Sequence, residues 1–179
     1  MSELELAQMQ HELVILRHGQ AVNNHGGADY DRQLTKAGQI EVHASVGALV
    51  HSTATSEPGF PDCVVASTAQ RVRQTTELAC EILQYTQADV AWEQGIYEGS
   101  IETLATLCYE YGLTHRRIVM IGHNPGLSLL ATMLLAPAHA CAAHGLTTAG
   151  WAHMAFDDGI AAGTGRLLGQ HRPMAAGRR

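Results

Sequence analysis

Short apolar runs alternate with polar clusters and longer amphipathic segments along most of the chain. Four runs, at 13–16, 63–66, 90–92 and 118–121, are apolar throughout and too short for a helix. Such runs predict buried strands. A segment of helical length follows each run, and strands that alternate with helices are typical of a mostly parallel sheet with helices on both faces.

Polar residues mark the starts of three predicted helices. Thr35 and Ser100 are expected to be N-caps, because a hydroxyl oxygen there can accept from a free backbone N–H of the first turn. Asn124 is expected to cap a further helix, with Pro125 at its first position. The apolar stripe that we expect the first helix to turn toward the core comprises Ile40, Val46, Leu49 and Val50.

Two further strands are predicted near the carboxyl end, at 149–156 and 166–170, with a turn region rich in Asp and Gly between them. They would fit an antiparallel edge of the sheet. The whole pattern predicts one α/β domain over residues 1–179, a three-layer α/β/α sandwich with a mostly parallel central sheet. Residues 1–10 and 172–179 are expected to be flexible ends.

Composition narrows the class of protein. The chain has 179 residues, of which 46% are hydrophobic and 16% charged, as in a globular domain. A net charge of −6 argues against nucleic-acid binding, and no apolar run approaches the roughly 20 residues that cross a membrane. No secretory signal is visible, so we expect a cytoplasmic protein. Four cysteines outside any CxxC pair are expected to be reduced thiols: Cys63, Cys80, Cys108 and Cys141.

The polar clusters all follow predicted strands. Arg17 and His18 end the first strand, Ser67 to Arg71 follow the second, and His123 follows the fourth. In a parallel sheet these strand ends lie at one edge, which is where open α/β sheets bind ligands. We therefore expect these side chains, although far apart in the sequence, to form one site.

Two histidines and two arginines at one site indicate phosphate chemistry. The planar guanidinium group of arginine matches phosphate oxygens and stays charged at any working pH. A neutral imidazole is a nucleophile that works near neutral pH. A second imidazole, if protonated, and the free N–H groups that start the helix after His123 would stabilise the charge of a phosphoryl-transfer transition state.

Four segments also carry short motifs in a fixed order. They read LRHGQA at 16–21, DRQLTKAG at 31–38, STAQRVRQT at 67–75 and GHNPGL at 122–127. These motifs resemble those of the histidine phosphatase superfamily, also called phosphoglycerate-mutase-like, and together they cover residues 13–128. The short chain and the GHNPGL form are most similar to the SixA-type phosphohistidine phosphatase branch. The resemblance implies the phosphoglycerate-mutase-like form of the α/β/α fold.

The resemblance also implies a role for each matching residue. His18 would carry the phosphoryl group as a covalent intermediate, and Arg17, Arg71 and His123 would hold its oxygens. Ser67 would hydrogen-bond within the site, although the role of helix N-cap is an equal alternative for it. The residues expected to contact the substrate beside these groups are Gly19, Ser67 and Asn124.

The general acid is the least defined part of the predicted site. The superfamily usually places a glutamate after the third strand to protonate the leaving group, and both Glu93 and Glu98 are available. We favour Glu98, because the YEGS segment at 97–100 resembles the family at that point. A leaving imidazole is easily protonated, so a phosphohistidine phosphatase needs such an acid less than an alkyl-phosphate phosphatase does. Arg73 lies two residues beyond Arg71 on the same helix and is expected to point elsewhere.

The predicted activity is hydrolysis of phosphohistidine on a protein, through phospho-His18 and without metal or cofactor. One alternative is a phosphomonoesterase for a small sugar phosphate or nucleotide, and another is a non-catalytic domain that binds phospho groups. The sequence gives no indication of oligomeric state. His139, Cys141 and His144 form one H-x-C-x-x-H cluster. It could in principle bind zinc, but a fourth ligand is not evident.

Overall fold

The computed structural model describes residues 10–23, 27–52, 60–140 and 145–173. The strands are β1 (His11–Arg17), β2 (Cys63–Ser67), β3 (Ala91–Glu93), β4 (Arg117–Gly122), β5 (Trp151–Phe156) and β6 (Arg166–His171). The helices are α1 (Lys36–Ser52), α2 (Gln70–Leu83), α3 (Gly95–Glu98), α4 (Ile101–Gly112), α5 (Gly126–Leu134) and α6 (Pro137–Ala140). Two short 3-10 turns lie at Asp29–Asp31 and Gln87–Asp89. All six predicted strands are present, with bounds that differ by one or two residues.

The six strands form one sheet in the order β3-β2-β4-β1-β5-β6. The pairs β1–β4, β2–β4 and β2–β3 are parallel, whereas the pairs β1–β5 and β5–β6 at one side of the sheet are antiparallel. This arrangement confirms the mostly parallel sheet with an antiparallel edge. It also brings the carboxyl ends of the four parallel strands to one edge of the sheet.

Alternate residues of the central strands pack against helices on opposite faces, which gives the three layers. Val14 and Leu16 of β1 belong to a buried cluster that includes residues of α1 and α2. Leu13 and Ile15 belong to the other cluster, which includes residues of α4 and α5. Side chains of a strand point to alternating faces, so an apolar run without polar positions is what a strand between two helical layers requires. The predicted α/β/α fold is confirmed.

Two of the three predicted N-caps are present. Gly38 N–H donates to Thr35 Oγ1 over 2.9 Å, and Thr103 N–H donates to Ser100 Oγ over 3.3 Å. The prediction for Asn124 is wrong, because α5 begins at Gly126 and its N-cap position is Pro125 without a side-chain hydrogen bond.

The predicted apolar stripe of α1 is correct at two positions. Val46 and Leu49 are buried, whereas Ile40 is 70% exposed and Val50 also reaches solvent. Val42, which the prediction omitted, is also buried in the core, one turn before Val46. Residues 42, 46 and 49 share one side of a helix at spacings of four and three, and this spacing describes the buried face better than the predicted set does.

The remaining predictions of organisation concern cysteines, membranes and the chain ends. Cys63, Cys80 and Cys108 are buried free thiols, and Cys141 lies outside the described residues. Within the described ranges, no helix is both long and apolar enough to span a bilayer. The flexible ends predicted at 1–10 and 172–179 fall mostly outside the described residues.

Candidate active site

The ends of β1 and β4 place two histidines side by side. The strands are paired in parallel with Arg17 opposite Gly122, and His18 N–H donates to Gly122 O over 3.1 Å. His18 and His123 directly follow these paired residues, and their ring centroids are 5.2 Å apart with the planes at 61°. The convergence expected from the sequence is therefore present at this edge of the sheet.

Both ring nitrogens of His18 are engaged, and the two contacts define its tautomer. Nδ1 lies 2.7 Å from the carbonyl oxygen of Gly19, which can only accept, so Nδ1 carries the proton. Arg71 Nε–H donates to Nε2 over 3.2 Å, so Nε2 presents its lone pair. Burial, together with the positive charges of Arg71 and Arg17, lowers the pKa of His18 to about 4. The imidazole is therefore neutral near pH 7.

Gly19 holds this arrangement together from the backbone. Its N–H donates to Thr75 Oγ1 over 3.2 Å, so this N–H is already used within the protein. A Cβ at this position would lie 2.6 Å from the carbonyl oxygen of Gly38, closer than packed atoms approach. The glycine is required because the start of α1 passes directly against the segment that follows His18. Its visible role is to support His18, and the predicted substrate contact stays a prediction.

His123 is held by the residue that ends β2. Its Nε2 lies 2.9 Å from Ser67 Oγ, and Ser67 is fully buried. The predicted alternative for Ser67, a helix N-cap, is wrong, because Ala69 is the N-cap residue of α2. Burial, followed by the charges of the neighbouring His18 and Arg71, lowers the pKa of His123 to about 3. The second imidazole is therefore neutral near pH 7, and the protonated ring that the sequence analysis considered as a condition is not the form found here.

Arg17 and Asn124 meet at a single carbonyl oxygen. Arg17 Nη1 donates to Leu146 O over 2.9 Å, and Asn124 Nδ2 donates to the same oxygen over 2.7 Å. Ser128 closes the network, since its hydroxyl donates to Asn124 Oδ1 and accepts from Leu146 N–H. Asn124 thus fixes the loop that holds Arg17, while its predicted contact with substrate stays a prediction. Burial lowers the pKa of Arg17 from its ordinary value, and the negative charge of Glu41 opposes this shift.

The two candidate acids lie at different places. Tyr111 O–H donates to Glu93 Oε1 over 2.7 Å, which ties Glu93 to helix α4. Glu98 is exposed and lines a cavity of about 290 Å³ that also borders His123, together with Tyr97, Ile101 and Leu129. The position of Glu98 is compatible with the predicted role, which stays a prediction.

Two residues that the sequence reasoning missed also belong to this cluster. Asp29 accepts from both terminal nitrogens of Arg71, through its main-chain oxygen and its carboxylate. Tyr97 O–H donates to the same carboxylate over 3.1 Å, and its ring packs edge-on against His123 at 5.4 Å between centroids. The available signals were the acidic DYD segment before Arg32 and the tyrosine directly before Glu98.

Arg73 lies outside the site, as predicted from its position two residues beyond Arg71. Its guanidinium group stacks on the ring of Trp92 at 4.5 Å, and its Nε–H donates to Thr68 O. The described residues hold no group of three or more side chains that could bind a metal ion. Of the H-x-C-x-x-H cluster, Cys141 and His144 lie outside the described residues.

Comparison with known proteins assigns the chain to a family. The model of the histidine phosphatase superfamily (branch 1) matches residues 13–110, which is more than half of the chain. This chain belongs to the histidine phosphatase superfamily. It is accordingly a phosphatase, and the family predicted from its motifs is confirmed. A search of curated proteins finds no match to the sequence.

Solved structures of similar fold support the SixA-type branch of the superfamily. A protein from Agrobacterium tumefaciens assigned as the phosphohistidine phosphatase SixA is 25% identical with a TM-score of 0.75, over 91% of this chain and 98% of its own. SixA complexed with tungstate is 21% identical with a TM-score of 0.75, over 90% and 96%. A mycobacterial glucosyl-3-phosphoglycerate phosphatase is 17% identical with a TM-score of 0.63, over 88% and 97%. At these last two identities the likeness concerns the fold alone.

Proposed function

We propose that this phosphatase transfers a phosphoryl group from phosphohistidine to His18 and then to water. In the first step a bond forms between His18 Nε2 and phosphorus as the P–N bond of the substrate breaks, and its electron pair goes to the leaving imidazole. In the second step a water oxygen bonds to phosphorus, the P–Nε2 bond breaks, and its electron pair returns to Nε2. The water gives its proton to phosphate or solvent.

The observation that carries this proposal is the state of His18. A neutral imidazole with Nδ1–H bound to Gly19 O has its nucleophilic lone pair on Nε2. The donor that meets this lone pair is Arg71 Nε–H, a group that also binds phosphate oxygens. An incoming phosphoryl group would take over this donor and place phosphorus against Nε2.

The other side chains supply donors for the phosphoryl oxygens. Ala69 N–H points at Ser67 Oγ over 3.5 Å, which favours donation of the Ser67 hydroxyl proton to His123 Nε2. In that arrangement His123 carries its proton on Nδ1, which is buried and has no partner among the described residues. The Nε–H group of Arg17 is also buried and has no hydrogen-bond partner among the described residues. The proposal assigns these two N–H groups to the oxygens of a tetrahedral anion bound at His18.

Phosphohistidine is the substrate that best fits the acids present. Among the described residues, the carboxylate that hydrogen-bonds directly to this cluster is that of Asp29, and its pKa is about 2 because Arg32 and Arg71 donate to it. It is ionised at working pH and has no proton to give to a leaving group. An imidazole leaves as a neutral molecule when its other nitrogen carries a proton, so this substrate demands the least from an acid.

A comparison of substrates tests the proposal. We expect kcat/KM for a phosphohistidine peptide or phosphoramidate to exceed that for sugar phosphates, whereas the reverse order would favour the small-phosphomonoester alternative. His18→Ala should abolish turnover of p-nitrophenyl phosphate, as measured by release of the chromophore. An undiminished rate in that variant would contradict the covalent mechanism, and absence of turnover in the unaltered protein would favour a non-catalytic phospho-group binder.

The proposal places the enzyme in the cytoplasm. The support is that Cys63, Cys80 and Cys108 are buried free thiols, as is usual in a reducing compartment. Burial raises the pKa of Cys63 and of Cys80 to about 11, so these thiols stay protonated and unreactive there.

A further inference from the structure

Asp29 makes an unusual pair of contacts with Arg71. The Arg71 side chain reaches the site from α2 and is only 7% exposed. Its Nη1 donates to the main-chain oxygen of Asp29 over 2.6 Å, and its Nη2 donates to Asp29 Oδ2 over 2.9 Å. One residue thus fixes both ends of the guanidinium fork, and Nε–H remains directed at His18 Nε2.

We propose that Asp29 is a positioning residue, which holds the Arg71 guanidinium group so that its Nε–H edge faces the phosphoryl group at His18. This inference rests on the proposed function, because it assigns the step at which Arg71 acts. A free arginine side chain has many rotamers, and ordering it upon binding costs free energy. A guanidinium group held in place beforehand avoids that cost and stabilises the transition state more effectively.

Asp29 is itself fixed, which suits it to this role. Arg32 Nη1 donates to Asp29 Oδ1 over 2.8 Å, and Tyr97 O–H donates to Oδ2 over 3.1 Å. The hydrogen bond from Arg32 is the main cause that lowers the pKa of the Asp29 carboxyl to about 2. The group is therefore a permanent anion at working pH, and its effect on catalysis passes through Arg71.

Charge alone predicts the opposite effect of Asp29. A carboxylate beside the phosphate site repels an anionic substrate, so a purely electrostatic role predicts that its removal strengthens anion binding. A positioning role predicts that its removal weakens both anion binding and turnover. The sign of the change therefore separates the two accounts.

The experiment compares Asp29→Ala and Asp29→Asn with Asp31→Asn, an exposed acid in the same turn. Tungstate binding is measured by calorimetry, and kcat/KM is measured with p-nitrophenyl phosphate. We expect Asp29→Ala to weaken tungstate binding and to lower kcat/KM about 10–100-fold, as for other residues that orient a binding group. Asp29→Asn should retain more activity, because its amide oxygen can still accept from Nη2. Asp31→Asn should match the unaltered protein.

A double variant tests the route through Arg71. Asp29→Ala combined with Arg71→Ala should lose no more activity than Arg71→Ala alone, because the two residues act as a unit. Tighter tungstate binding in Asp29→Ala, unchanged turnover, or additive losses in the double variant would each overturn the inference. If the unaltered protein hydrolyses nothing but Asp29→Ala loses tungstate affinity, the proposed function fails and the positioning role stands. Thermal melting of each variant identifies any that fails to fold. If Asp29→Ala is such a variant, the same comparison of tungstate binding and kcat/KM is made between Asp29→Asn and Asp31→Asn, and equal values in the two would overturn the inference.

Discussion

The two histidines of the site occupy equivalent places but have different surroundings. His18 and His123 follow paired strands, are both largely buried and are both neutral, with pKa values lowered to about 4 and about 3. His18 has both ring nitrogens engaged, by Gly19 O and Arg71 Nε–H, whereas His123 has a partner on Nε2 alone among the described residues. In the proposed mechanism this difference assigns the attack on phosphorus to His18 and donation to a phosphoryl oxygen to His123.

Removal of the nucleophile should have the largest effect. We expect His18→Ala to lower kcat by about 10⁴-fold or more, because the covalent route then has no acceptor for the phosphoryl group. Stopped assays with p-nitrophenyl phosphate measure the loss. If His18→Ala and His123→Ala lost activity to the same modest extent, the two rings would not differ in the way described here.

Removal of the second imidazole should cost less. We expect His123→Ala to lower kcat by about 10²–10³-fold, the usual effect of losing one transition-state hydrogen-bond donor. The variant should still form phospho-His18, although slowly, and rapid quench with labelled substrate measures that step. A complete failure to form the intermediate, with the protein folded, would assign His123 a larger role than donation.

The lowered pKa values predict the pH dependence of the reaction. Only neutral His18 can attack, so kcat/KM should be fully present above its folded pKa and should fall as the pH drops through about 4. A profile of kcat/KM against pH, corrected for ionisation of the substrate, measures this limb. An acid limb near 6.5, the ordinary value for histidine, would show that burial does not keep the ring neutral.

The same shifts predict how stability depends on pH. In the unfolded chain both histidines would take up protons near pH 6.5, whereas in the folded protein they resist protonation down to about 4 and about 3. The unfolded state therefore binds more protons between these values, so the free energy of unfolding should decrease as the pH falls below about 6.5. Urea denaturation from pH 7.5 to 4.5 measures it, and a double variant with glutamine at both positions should lose part of the dependence. A dependence unaltered in that variant would contradict the assignment.

Loss of the support for His123 should have an intermediate effect. We expect Ser67→Ala to lower kcat/KM by about 5–30-fold, because the ring loses a hydrogen bond that sets its orientation and tautomer. Thr68→Val is the matched control, since the adjacent Thr68 hydroxyl is buried without a partner among the described residues. Equal losses in the two variants would indicate a general effect of the segment.

The smallest effect is expected at Glu98. We expect Glu98→Gln to change hydrolysis of a phosphoramidate by less than about threefold, because that leaving group needs little help from an acid. The same variant should lower hydrolysis of an alkyl phosphate more clearly, if Glu98 is the acid predicted from the sequence. Paired assays with the two substrates measure the difference, and an equal loss on both would exclude a role in protonating the leaving group.

The sequence contained enough information for the sheet and for the convergence of Arg17, His18, Arg71 and His123 at one edge of it. Arg17 and His18 directly end a buried apolar run, and His123 directly follows another, so strand topology alone brings them together. Arg71 is the second residue of a helix that starts at the same edge. For these residues the end of each strand can be read from the local sequence pattern, and the parallel sheet then brings the strand ends together. The prediction therefore needed no details of side-chain packing.

The predictions failed where long-range contacts decide the outcome. Asn124 has the sequence position of an N-cap, but its amide binds Leu146 O, a contact across 22 residues that no local pattern reveals. Asp29 was missed for the same reason, since its contact with Arg71 joins residues 42 positions apart in the sequence. The protonation of His123 depends on burial and on neighbouring charges, and the sequence gives neither.

The most direct test of the central claim is to identify which imidazole carries the phosphoryl group. Labelled substrate is mixed with the protein, the reaction is quenched in alkali, and the phosphorylated peptide is located by mass spectrometry. The account predicts an acid-labile phosphate on His18, present in Glu98→Gln and absent in His18→Ala. Phosphate on His123, or turnover in which no labelled histidine accumulates even when hydrolysis is slowed, would contradict it.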